Sequence, residues 1–168
     1  MAGKHALPHW YLIQCKPRQD ARAEENLARQ SYTCFRPICT VTRRRANGEQ
    51  QCLESLFPGY LFIQLDRVTD NWHPIRSTRG VSQLVRFGDQ PAIVPDELVD
   101  EIRQRLAAPP EPTSDLAPGD RVRLTGCNFK DLEAIFLAQD GNKRALILLQ
   151  LLQREHTISV PLRSIDKL

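Results

Sequence analysis

The chain has little that would serve chemistry. Its four histidines, His5, His9, His73 and His156, are scattered and unpaired with cysteine or acidic clusters. No His-Glu-x-x-His motif and no glycine-rich phosphate loop is present. An enzyme is therefore poorly supported, and no cofactor or metal is implied. The five cysteines, Cys15, Cys34, Cys39, Cys52 and Cys127, are odd in number and form no Cys-x-x-Cys pair. Neither a disulfide framework nor a zinc site is favoured, and reduced cysteines packed in strands are expected. No apolar run approaches the ~18 residues a membrane helix needs. Met1–His9 lacks the apolar core of a signal peptide. The expectation is a cytoplasmic chain with no membrane partner. Length and composition (168 residues, 41% hydrophobic, 26% charged) fit one or two ordinary globular domains.

Aromatics are also few, at 7%, so their placement is informative. In the stretch Leu56–Leu65, strand alternation puts Tyr60 and Phe62 on one face. The stretch Trp72–Val81 reads as a short helical turn ending in a basic, glycine-terminated corner. An apolar face and a basic face suit a protein that grips a macromolecule. Net charge is only +3, but residues 16–45 hold eight basic and three acidic residues. Such a local field attracts polyanions. Charge alone more often marks a solvated face.

Along the chain, His9–Lys16 reads as a strand ended by Pro17, and Gln19–Gln30 as a helix with Ala23 and Leu27 inward. Strands follow at Thr33–Cys39 and Val41–Arg45, with a hairpin at Asn47-Gly48 and a return strand over Gln50–Glu54. Next come a strand at Tyr60–Leu65, a short helix over Asn71–Ser77, a strand at Gln83–Phe87, and a helix from Pro95 to about Leu106 with Asp96 as its cap. This order predicts an α+β sandwich: an antiparallel sheet with helices on one side. The first domain spans residues 1–106. Residues 107–116 form a proline-rich linker.

Residues 117–168 satisfy two patterns at once. Pro118–Leu124, the turn signal Asp140-Gly141 and the strand pattern Thr157–Pro161 argue for a small five-stranded barrel. Leu132–Ala138 and Ala145–Glu155 are rich in helix formers and argue for an apolar helical hairpin. Two packings close in energy are the expectation.

Phe57-Pro58-Gly59-Tyr60-Leu61-Phe62, Thr78-Arg79-Gly80-Val81, Phe87-Gly88, Ile93-Val94-Pro95 and Pro118–Val122 followed by Ala134-Ile135-Phe136 occur in an order and spacing that resembles the NusG family of transcription elongation factors. Leu84–Gly88 with Pro91–Pro95 and the leucine-rich tail resembles its RfaH branch, which consists of operon-specific antiterminators. The resemblance covers Trp10–Leu168. It implies an N-terminal domain that binds RNA polymerase, a flexible linker and a C-terminal KOW domain. In the RfaH branch that domain can be a helical hairpin masking the polymerase-binding face, or a β-barrel once released.

The resemblance implies roles residue by residue. Tyr60, Phe62 and Phe87 match the apolar pocket for the clamp helices of the largest polymerase subunit. Asn71, Trp72 and His73 stand where the second subunit's gate loop is touched, but Trp72-His73 resembles the general NusG pattern and not the branch's polar cluster. Lys16, Gln19, Arg22, Asn26, Arg29, Gln30, Thr78 and Arg79 match the surface for the displaced non-template DNA strand. Pro17 and Asn26 depart from the Arg and His usual there. Glu54 and Arg144 match an interdomain ion pair. Val99, Ile102, Phe136 and Leu148 would supply the interdomain apolar contact. A small-subunit ribosomal protein is a further implied partner of the freed C-terminal domain, and a monomer is expected. The rival reading is a general NusG-type or KOW protein that binds RNA or ribosome without a DNA signal.

Overall fold

A computed structural model describes residues 7–108, 130–138 and 140–165, with side chains described as far as residue 154. The element order is β1 (His9–Cys15), α1 (Asp20–Arg29), β2 (Thr33–Phe35), β3 (Ile38–Arg45), β4 (Gly48–Ser55), β5 (Tyr60–Leu65), a 3-10 helix (His73–Ser77), β6 (Val81–Leu84), β7 (Arg86–Phe87), β8 (Gln90–Pro91), β9 (Ile93–Val94), α2 (Asp96–Ala107), α3 (Lys130–Leu137) and α4 (Gly141–Ile165). The main sheet has the order β2-β5-β1-β6, with β9 also paired to β1, and every pairing is antiparallel. β3 and β4 form a separate two-stranded ribbon that turns at Ala46-Asn47, as the Asn-Gly signal predicts.

Strand alternation divides the sheet's side chains between two cores. One face carries Tyr11, Ile13, Leu61, Ile63 and Leu65, packed with Ala23 and Leu27 of α1 and Ile75 of the 3-10 helix. The other carries Trp10, Leu12, Phe62 and Val94, packed with Leu98, Val99 and Ile102 of α2. Leu132 and Ile135 of α3 and Leu148, Leu151 and Leu152 of α4 belong to this second core. Helices therefore lie on both faces, and the expected one-sided sandwich is corrected. The reason is that β1 and β5 are apolar on both sides of the pleat.

The helix after Pro95 starts without an acidic cap. Pro95 occupies the cap position, no side chain caps it, and Asp96 is its first residue. Asp96 still lies in the first turn, where a carboxylate complements the helix dipole. The described part of the tail takes the helical alternative. Asp140 opens α4 instead of turning a strand hairpin: its Oδ1 accepts from the Asn142 N–H at 2.9 Å and its carbonyl from the Arg144 N–H at 3.1 Å. The strand expected at Thr157–Pro161 falls inside α4. The strand expected at Pro118–Leu124, Cys127 and most of the expected linker lie outside the described residues.

Candidate functional site

The apolar site is built on β5. Phe62 is fully buried, with its ring centroid 5.9 Å from those of both Phe35 and Phe57. Tyr60 and Phe87 are half-buried and pack against the same core. The sharing of one face by Tyr60 and Phe62 follows from their spacing. Val99, Ile102, Leu148 and Phe136 all join this core, Phe136 half-buried beneath Arg105, whose guanidinium carbon lies 5.4 Å from the ring centroid. The aromatic seat is thus roofed by the α3–α4 hairpin. Each large side chain buried here stabilises the docked hairpin by about 1.5–3 kcal/mol. Sequence reasoning missed Phe35 and Phe57 as walls of the seat. Phe57 lies within the Phe57–Phe62 motif, and Phe35 on the short strand β2 carries too weak an alternation to be noticed.

The expected Glu54–Arg144 ion pair is not formed. Glu54 pairs with Arg43 of the neighbouring strand. Arg144 is buried, at 6% exposure. One of its terminal nitrogens donates to Cys39 Sγ at 3.3 Å, and its Nε has no partner among the described residues. Cys39 is the cross-strand neighbour of Glu54, so the arginine stops one side chain short of the carboxylate. The competing arginine on β3 wins because it shares the ribbon with Glu54 and needs no second element to reach it.

The basic site lies on the opposite face, where α1 meets the 3-10 helix. Gly80 makes the junction possible. Its φ is +91°, and a Cβ there would stand 2.7 Å from the Ala23 backbone nitrogen. Its carbonyl accepts from the Lys16 N–H at 2.8 Å. Asn26 Nδ2 donates to the Arg22 carbonyl at 2.8 Å and to the Arg79 carbonyl at 3.4 Å. Gln30 Nε2 donates to Thr78 Oγ1 at 2.9 Å, and the Thr78 hydroxyl donates to the Pro74 carbonyl at 2.9 Å. Thr78 is buried, at 6% exposure, so it shapes the corner and does not offer itself to a ligand. Asn26 and Gln30 brace it from α1. Lys16, Arg22 and Arg79 are exposed, and Gln19 is half-buried at the helix start. Arg29 is exposed but pairs with Glu25 one turn earlier at 2.5 Å.

Beyond the 3-10 helix, Asn71 and His73 are exposed, and Asn71 Oδ1 accepts from the His73 N–H at 3.1 Å. Trp72 is half-buried edge-on against Tyr11, centroids 4.8 Å apart, with Nε1 donating to the Asp66 carbonyl at 3.2 Å. Trp72 is therefore mainly a packing residue with one exposed edge.

Residues 8–103 match the family described as "Transcription termination factor nusG". The chain is 28% identical to the transcription termination/antitermination protein NusG of Thermus thermophilus, over 73% of this chain and 77% of that protein. It is 25% identical to the NusG of Yersinia pestis, over 82% of this chain and 83% of that protein. A solved structure, "Domain interaction in Thermotoga maritima NusG", matches 58% of this chain and 56% of that one, with a TM-score of 0.39 and 22% identity.

Proposed function

The chain belongs to the NusG family of transcription termination and antitermination factors, and from that premise we propose that it is an operon-specific antiterminator of the RfaH kind. As a NusG-type factor it is not an enzyme. The proposed N-terminal domain, residues 1–106, binds RNA polymerase by seating the paired clamp helices of the largest subunit on Tyr60, Phe62 and Phe87. An amphipathic helical pair requires a greasy groove with aromatic anchors. The observation that carries this reading is the cover over Phe62. That seat is closed by a helical hairpin of the chain's own C-terminal unit, and a helical hairpin is the shape the clamp presents.

The proposed DNA face consists of Lys16, Gln19, Arg22, Arg29 and Arg79, with Asn26, Gln30 and Thr78 holding the α1 corner in shape. Arginine and lysine there neutralise phosphates, and arginine and glutamine read base edges of the displaced non-template strand. Recruitment by a DNA element displaces the hairpin and exposes the seat. The bound domain then holds the clamp closed and suppresses pausing. Asn71 and His73 face the second subunit's gate loop in this reading, with Trp72 packed between them on Tyr11. The freed C-terminal domain, residues 117–168, is proposed to refold as a KOW barrel and contact a small-subunit ribosomal protein.

Single-round transcription on templates differing only in the non-template strand tests the proposal. Pause suppression confined to one sequence element is expected. Equal suppression on every template would leave a general NusG-type factor and remove operon specificity.

A further inference from the structure

A second basic site adjoins the 3-10 helix. Trp72, Ile75, Arg76, Gln83, Leu84 and Arg86 line a cavity of about 300 Å³, the lower end of the size range for small-ligand sites. Arg76 and Arg86 are exposed. Neither guanidinium forms an ion pair among the described residues. No acidic side chain among the described residues lines the cavity. Two cations that converge without a counter-charge raise the local potential and favour an anion.

The remaining lining narrows the choice of anion. Gln83 Nε2 is held by Gln14 Oε1 at 2.8 Å, so the Gln83 carbonyl oxygen is the end left to accept. Trp72 Nε1 is held by the Asp66 carbonyl, so the indole offers its apolar surface and not its N–H. Leu84 and Ile75 complete an apolar floor. The site therefore combines two guanidinium donors, one acceptor and a partly exposed apolar surface of Trp72 and Leu84. A nucleotide of any base matches the donors and the apolar surface: a phosphate for the arginines and the face of a base for the apolar side chains. An acidic protein loop would use the arginines alone.

Position adds an independent argument. Arg76 and Arg79 lie on the same short segment, three residues apart, with Arg79 at the α1 corner and Arg76 in the cavity. Three positions separate the two arginines, so one bound strand can span both sites. We propose that the nucleic-acid path continues past Arg79 into this cavity, where Arg76 and Arg86 hold a phosphate and Trp72 and Leu84 flank its base. The proposal rests on the DNA-binding reading above and lengthens the footprint by a sequence-independent contact.

The test is fluorescence anisotropy of the full chain with short labelled single-stranded oligodeoxynucleotides of several sequences, over a range of salt. One phosphate contributes about 0.7 to the log–log salt slope of a single strand. The double variant Arg76→Ala/Arg86→Ala is expected to lose about that much slope and about tenfold in affinity, equally for all sequences. Arg76→Lys/Arg86→Lys retains the charges and is expected to retain the slope, which separates lost contact from lost fold. Unchanged affinity and slope in the double alanine variant, with Arg79→Ala still weakened, would overturn the cavity site and leave the corner standing. Reduced affinity for polymerase with unchanged DNA affinity would also overturn it, assigning the arginines to an acidic protein loop. No DNA binding by the unaltered chain would remove both readings.

Discussion

At the scale of single residues, Arg144 is the most exposed to test. A guanidinium that is nearly all buried, with its Nε unpartnered among the described residues and a thiol as its acceptor, is poorly compensated. Arg144→Met keeps an unbranched apolar stem and removes the guanidinium with its charge. It is expected to stabilise the docked hairpin by about 1–3 kcal/mol, read as slower hydrogen exchange in α4 and a higher melting temperature. Faster exchange would mean that the arginine finds a carboxylate in solution. Arg43→Ala releases Glu54, whose cross-strand neighbour Cys39 already touches Arg144, and is expected to shift α4 exchange in the same direction. The thiols divide as sharply. Burial, with a smaller contribution from the charge of Asp20, pushes Cys15 up from 9.0 to about 12, and burial likewise raises Cys34 to about 12. The folded chain keeps those protons while the unfolded chain gives them up above about pH 9. Stability is therefore expected to fall between about pH 9 and pH 12. At pH 8, mass spectrometry after brief alkylation should find Cys15 unmodified and the half-buried Cys34 labelled slowly in the folded chain; prompt labelling of Cys15 would contradict its burial.

At the scale of elements, most strands and helices of the first domain were legible because their periods are clean, but the expected strands Thr33–Cys39 and Gln83–Phe87 are each broken, at Arg36-Pro37 and at Val85. Tyr60–Leu65 and the Ala23/Leu27 stripe appear where alternation and helical spacing put them. The two-faced packing of the sheet was not legible. Local pattern shows that β1 and β5 are apolar on both sides, but it does not say which helix covers which side. The bracing role of Asn26, Gln30 and Thr78 was equally hidden, since Gln30 and Thr78 meet across 48 positions of sequence. The partner of Glu54 was missed because a nearby arginine on the paired strand outcompetes a distant one. Gly80, by contrast, announces a constraint that can be broken. Gly80→Ala would place a methyl against the Ala23 backbone at a positive φ. Backbone cannot yield as a flexible side chain can, so a loss on the order of 2 kcal/mol or more is expected. Chemical denaturation would measure it. A wild-type midpoint would mean that α1 and the 3-10 corner are not held as tightly as the contact requires.

At the scale of the whole molecule, one apolar face has two claimants. The hairpin α3–α4 covers it in this structure, and the polymerase clamp covers it in the proposed working state. Leucine-rich helices with few β-branched residues made the helical form of the tail readable, and the competing strand signals in the same residues made the choice between forms unreadable. Tertiary burial against Phe62 and α2 decides it here. A charge placed under that roof should therefore open the molecule without damaging the sheet. Leu148 is fully buried in the interface, and Leu148→Asp puts a carboxylate into that apolar core at a desolvation cost that the buried Arg144 one turn earlier does not remove. The most direct measurement is the affinity of a helical-hairpin peptide carrying the largest subunit's clamp helices for the full chain and for its Leu148→Asp variant, with the sheet's amide signals followed as a check on folding. If the seat is real and the hairpin is its lid, the variant binds at least about tenfold more tightly. Equal affinity of the two proteins, with the sheet intact in both, would show that the clamp does not compete for Phe62.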